Sequence, residues 1–450
     1  MNGLKKKLSI SGICLGCISM GLVFTMVNTA LPTIQRETNT PLIYMQWMMM
    51  VFGIINCATL VTFGRLADIF GRKKIFLLGL FFSCLGMYVC GSSRGVTMLI
   101  LGMAFAGLGN AVLLPVSQAM IVSEFKLSEK SQAIAIWSLA IAYAFAMGPL
   151  LAGIICKFYP WRWIFYFMVP VFLICALIVY TFTSESKNDI DSQTIDFKGM
   201  VLVAICLACL SFFISEFSSL PFWFKGTLSV LVISTIVLIW HHSLRFSMPI
   251  LLPEIIINFR FLAASICSTC LIFSIWSTFF IFPFFLENIR LLSPFTKGLI
   301  MLGVTIPMFF FARIIGRKYT YSNAWIMIAF GFVSLILSSI LQLFLNEYTP
   351  ISMLICVTTL FGLGFVLIAG PSTTAALSTA PSYRAGIASG TFVTFQEIGG
   401  TLGLAFTVTA LRGAQIPLRG FYKRQVIMIL MGFLGVFFSF FLRDRKSTKS

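Results

Sequence analysis

The chain has 450 residues, of which 59% are hydrophobic and only 10% charged, and its mean hydropathy is +0.98. That composition excludes a soluble globular domain, since too few polar residues exist to cover a surface of that size. A net charge of +18 would suggest nucleic acid, but the Lys and Arg residues lie almost entirely between long apolar runs, where they set membrane orientation.

Apolar runs of the length needed to cross about 30 Å of hydrocarbon as a helix recur from Leu8 to Leu442. They are too long and too unbroken for barrel strands, so the expected class is an all-α polytopic membrane protein. The first run follows Lys5, Lys6 and Lys7. It is too long for the apolar region of a signal peptide and no small-residue cleavage site follows, so it predicts a first span with a cytoplasmic N-terminus. About fourteen spans are expected, near 8–31, 45–63, 75–91, 97–122, 131–156, 161–183, 199–217, 222–242, 261–284, 296–315, 323–345, 350–377, 386–411 and 426–442. On this layout roughly two-thirds of the 32 Lys and Arg residues face the cytoplasm, which predicts both termini inside. Arg412, Arg419, Lys423 and Arg424 then form the one strongly basic outer loop.

The polar stretch Ser184 to Asp196 reads as a seam after the sixth span. The expected organisation is a six-helix bundle over 1–183, a cytoplasmic linker with an extra helix pair over 184–260, and a second six-helix bundle with its tail over 261–450. Gly316, Arg317 and Lys318, between the tenth and eleventh spans, faintly repeat the glycine and basic residues that end GRLADIFGRKK, Gly64 to Lys74, between the second and third. The twelve cysteines sit mostly in apolar helices away from histidine and carboxylate, as small packing residues do. His241 and His242, at a span end, make a poor metal site. Neither a metal nor a cofactor is expected.

Five motifs carry more information. In GRLADIFGRKK, Gly64 and Gly71 allow a tight turn and close helix approach, and Asp68 can pair with Arg72. Gly148, Pro149 and Gly153 within MGPLLAG put a proline kink among small residues in the fifth span, with Ala152 where a second glycine is usual. Val27 to Pro32 (VNTALP) ends the first span, Trp161 to Phe165 (WRWIF) opens the sixth, and Arg384 to Gly390 (RAGIASG) precedes Gly399, Gly400 and Gly403 in the thirteenth.

Taken in order, these motifs resemble those of the major facilitator superfamily, and within it the fourteen-span drug:proton antiporters of the EmrB/QacA type. The resemblance covers about residues 10 to 410. It implies a major facilitator fold of two six-helix bundles plus an extra helix pair. It also implies a conformational gate at Gly64, Asp68, Gly71 and Arg72 that does not bind substrate, and a proton-exchange motif at Gly148, Pro149 and Gly153.

Three positions depart from that pattern. Val23 stands where these antiporters usually carry aspartate, Met103 where they carry arginine, and Ala106 where they carry glutamine. Losing one intramembrane charge would strand its partner, whereas losing both together can be nearly neutral. One carboxylate, Glu397, remains well inside a predicted span, about eleven residues into the thirteenth, while Glu216, Glu287 and Glu347 fall near outer helix ends where water reaches them. A buried glutamic acid suits a proton carrier, which makes Glu397 the ion-coupling candidate; a hydrogen-bonded tie between helices is the alternative.

Thr25, Asn28, Asn110, Gln118 and Gln396 are intramembrane polar groups that could line a substrate cavity or bond between helices. Thr25 and Asn28 share a face at i, i+3, as do Met103 and Asn110 at i, i+7.

The expected function is secondary active transport by alternating access in the bacterial inner membrane: efflux of small amphipathic organic compounds, coupled to protons. An uncoupled facilitator or importer of a small metabolite is the alternative that the missing charges favour. A membrane enzyme would need a catalytic cluster near an interface, and two adjacent histidines do not make one. No GxxxxGK[ST] phosphate loop is present, so the energy source is an ion gradient or the substrate's own. The outer loops are short for docking an adaptor protein.

Overall fold

The computed structural model describes residues 3–124, 127–186, 196–217, 220–246, 249–250, 253–318, 323–379, 385–412 and 417–443, and no strand occurs among them. Contacts group the chain into two compact units. The first comprises Met1–Ala204 with Phe246–Ile250, and the second Ile205–Arg245 with Leu251–Ser450.

The first unit holds α1 (Gly3–Thr38), α2 (Leu42–Phe70), α3 (Arg72–Gly91), α4 (Val96–Glu124), α5 (Leu127–Phe158), the short α6 (Trp163–Tyr166), α7 (Met168–Phe182) and the start of α8 (Phe197–Glu216). Within it α1 packs on α5, and α4 takes both α2 and α3. The second unit holds the rest of α8, then α9 (Phe222–Arg245), α10 (Pro253–Ile256) and α11 (Phe259–Phe284), which runs on into a π-helical turn at Phe285–Ile289. There follow α12 (Pro294–Lys318), α13 (Ala324–Gln342), α14 (Ile351–Leu377), α15 (Ala385–Arg412) and α16 (Pro417–Ser439). Here α11 packs on α15, and α14 takes both α12 and α13. First on fifth, and fourth on second and third: the same pairing order appears in both units. Gly316 to Lys318 end α12, whereas Gly71 to Lys73 form the turn after α2 and the start of α3, so the faint sequence echo falls at the corresponding junction but not on the same helix end.

Twelve helices among the described residues are long and apolar enough to cross a membrane. The expected spans 131–156 and 386–411 are not among the twelve; they fall on α5 and α15, and α5 qualifies only as the shorter stretch Tyr143–Phe158. Residues 187–195 of the expected seam and Arg384 of the thirteenth-span motif lie outside the described residues.

Two expectations about charge need correction. The basic outer loop is shorter than predicted, because α16 begins at Pro417 and takes Arg419, Lys423 and Arg424 into the helix. Arg424 is 1% exposed. Its Nε donates to Ser277 Oγ at 2.8 Å, Nη1 to Gln425 Oε1 at 2.9 Å, and Nη2 to Thr278 Oγ1. Gln425 donates on to Gln342 at 2.8 Å, and Gln342 to Ser338 at 3.2 Å. Hydroxyls and amides from three helices thus receive a charge that sequence alone assigns to water. Glu287 is likewise not water-facing. It is 4% exposed on the π-helical turn and accepts from Lys297 Nζ of α12 at 2.5 Å.

Candidate functional site

The signature loop joins α2 to α3 through one residue. Gly71 has φ +110°, a conformation that side chains disfavour, and a Cβ there would lie 2.7 Å from the Glu185 carboxyl. The turn brings Arg72 back over the last helical residues of α2. Its Nη2 and Nε donate to Asp68 Oδ1 at 2.8 and 3.1 Å. Gly64, by contrast, has no neighbour within 4 Å of where a Cβ would stand.

A residue that sequence reasoning missed completes this corner. Glu185, just beyond α7, accepts hydrogen bonds from Lys73 N at 3.0 Å and Lys74 N at 3.3 Å, so its carboxylate caps the positive end of α3. Ser186 O takes the Arg72 N–H at 2.9 Å, and Lys73 Nζ reaches Tyr180 O at 2.7 Å. Near the same end Asp196, 3% exposed, accepts from Gly199 N at 2.7 Å and from Ile250 N at 3.2 Å, and its charge acts on Arg65. The polar seam therefore packs at both its ends against the corner formed by the α2–α3 turn.

Deeper in the first unit, Gly148 seats α5 directly on α1, where a Cβ would come within 2.7 Å of Thr25 Cβ. Pro149 follows inside the helix, and Gly153 is buried one turn on. Thr25 is 0% exposed and donates to Gly21 O within its own helix at 2.9 Å. Asn28, 1% exposed, donates to Phe24 O at 2.8 Å, also within its own helix. Asn110 is half-buried on α4 and Gln118 is exposed. The structure thus brings Thr25 to Gly148, while Gln118 faces away from the packed interior. Val23, Met103 and Ala106 are 1%, 0% and 0% exposed, packed as ordinary core residues.

In the second unit Gln396 Nε2 donates to Ser268 Oγ of α11 at 2.6 Å, and Thr269 Oγ1 to Phe395 O at 3.0 Å. Glu397 lies next to this seam, half-buried near the middle of α15. Arg162 of the WRWIF motif reaches Ser93 O at 3.1 Å, tying α6 to the turn between α3 and α4.

Comparison with known proteins gives one answer. The profile of the Major Facilitator Superfamily matches residues 13–404. Riboflavin transporter RibZ of Clostridioides difficile is 24% identical over 88% of this chain and 86% of its own length. Multidrug resistance protein Stp of Mycobacterium tuberculosis is 26% identical over 87% of this chain and 73% of its own. Among solved structures, a mutant of peptide transporter POT in complex with sulfate superposes with a TM-score of 0.71 at 13% identity, covering 96% of this chain and 94% of that one, which speaks for the fold alone.

Proposed function

We propose, starting from the fact that the chain belongs to the Major Facilitator Superfamily, that it exports small amphipathic organic compounds, cationic or neutral, by proton-coupled alternating access. The family consists of transporters, and the enzyme alternative falls with that membership. The protein is an integral multi-pass membrane protein; we place it in the bacterial inner membrane with both termini in the cytoplasm. The observation that carries the export reading is α5 of the MGPLLAG motif, held against α1 by Gly148 on Thr25 with the proline kink beside it. The Asp68–Arg72 gate and the name of the relative Stp point the same way.

Glu397 is the proposed ion-coupling group. Its placement in the middle of an apolar helix makes release of its proton costly until the surroundings hydrate, which would link deprotonation to the conformational switch. Glu397→Gln preserves shape and abolishes titration. In proteoliposomes with an imposed pH gradient, that variant should lose uphill accumulation of rhodamine 6G and Nile red but keep downhill exchange. Uphill transport with an unchanged pH profile would mean that Glu397 is structural. In that event the second reading, an uncoupled facilitator, gains from the packed apolar side chains of Val23 and Met103.

A further inference from the structure

The interior of the first unit contains two amides whose hydrogen-bonding capacity the fold leaves wholly or partly unused. Asn56, 0% exposed near the middle of α2, has no hydrogen-bond partner for Nδ2 or Oδ1 among the described residues. Asn28 makes its one bond through Nδ2, and its Oδ1 has none. Buried polar atoms left unbonded cost on the order of 1–3 kcal/mol each, so native structures keep few of them, and each calls for a reason.

Both amides flank an aromatic cluster. The Phe24 ring lies 6.3 Å from Phe52 and 6.1 Å from Phe145, joining α1, α2 and α5. Asn28 is four residues beyond Phe24, and Asn56 four beyond Phe52, so each shares a face with its ring. The register of the two rings, together with the opposite directions of α1 and α2, puts the amides on opposite sides of the cluster, about 12 Å apart along the helices. Among its described helices unit 1 places no charged residue at this depth. The charged residues of α1 to α5 lie within the two turns nearest a helix end, Arg65 being the furthest in at nine residues beyond Asn56, and α6 and α7 carry none. Burying an ion there without a counter-charge would be expensive.

The geometry points to a binding site for an uncharged, planar, fused-ring heterocycle that carries adjacent hydrogen-bond donor and acceptor groups, such as a lactam or imide edge. The rings would stack on Phe24, Phe52 and Phe145. The side-chain amides would pair with the ligand's edges, each able to donate and accept at once. This inference rests on the transport reading and narrows its substrate class. It is also why the unbonded amides persist, since the apo protein carries a cost that the ligand relieves. A site built on such groups rejects analogues that lack the matching edge far more strongly than an apolar pocket rejects a change of shape.

The test uses the full-length protein in nanodiscs with lumichrome, a neutral tricyclic imide, followed by its fluorescence. Saturable binding is expected, weakened at least tenfold when the imide nitrogen is methylated. Asn56→Leu should weaken lumichrome binding at least tenfold while raising Tm by a few degrees, because it removes an unsatisfied amide. Asn28→Leu should also weaken binding, and it carries the comparison if Asn56→Leu does not fold. Equal binding of lumichrome and its methylated form, unchanged binding in the variants, or a lowered Tm in both would overturn the inference. Efflux of rhodamine 6G and Nile red from cells separates the two levels. If wild-type protein exports either dye but does not bind lumichrome, this site assignment alone fails. If it exports neither, the transport reading itself fails.

Discussion

Asp68, Arg72 and Glu185 act at one corner by different means. The first two form a salt bridge across a left-handed glycine, and the third neutralises the exposed amides that begin α3. None of them lies in the packed interior of the unit. Asp68→Asn is therefore expected to slow transport at least tenfold in proteoliposomes while equilibrium ligand binding changes by less than a few fold. A large loss of affinity with normal switching would contradict a gating role. Glu185→Gln removes charge from an N-cap whose typical worth is ~1 kcal/mol, so a smaller slowing in the same direction is expected. The Asp and Arg were legible because glycine, acid and base recur within eleven residues. Glu185 was not, because its partner amide is 112 residues away and nothing local marks it. Asn56 escaped notice for the opposite reason: one asparagine in an apolar run reads as packing until both of its polar atoms prove unbonded.

At the scale of elements, helix ends were the least legible feature. A rule that stops a membrane helix at its first cluster of charge starts the last span too late in the chain, because α16 carries Arg424 inward to Ser277 and Thr278. The same rule misplaces Glu287, which the π-helical turn directs onto Lys297. Removing one partner of such a buried pair typically costs 3–5 kcal/mol, whereas apolar replacement of both is often neutral. Lys297→Met should therefore lower thermal stability markedly, and adding Glu287→Leu should restore most of the loss. Equal melts for the single variant and wild type would show that water screens the pair. Helix contact sets the outcome at α5 too. Gly148→Val should displace α5 from Thr25 and cut transport severely, and Thr25→Ala should partly rescue Gly148→Ala. Absence of rescue in transport assays would place the constraint elsewhere on α5.

The class of molecule was plain from composition, and the superfamily from motifs whose order along the chain matched their spans. Hydropathy could not show that the two units pair their helices in the same order, since their sequences share only three residues of the loop motif. Topology is the testable statement at this scale. Reporter fusions at Lys187 and Arg384 are expected to report the cytoplasm and one at Arg94 the outside. A cytoplasmic signal at Arg94 would invert the arrangement.

The clasp between Asp196 and Ile250 bears on how the protein is made. The first unit is not contiguous: Phe246–Ile250 completes it after the chain has left through α8 and returned from α9. A ribosome delivering residues in order therefore cannot finish the amino-terminal unit when α7 emerges. The unit must wait through about seventy more residues, roughly 3–14 s at ordinary elongation rates, for the backbone amide that Asp196 accepts. Two membrane helices are inserted during that interval. Biogenesis is thereby interleaved, and a nascent chain arrested at residue 200 should remain more susceptible to protease than one arrested beyond 250.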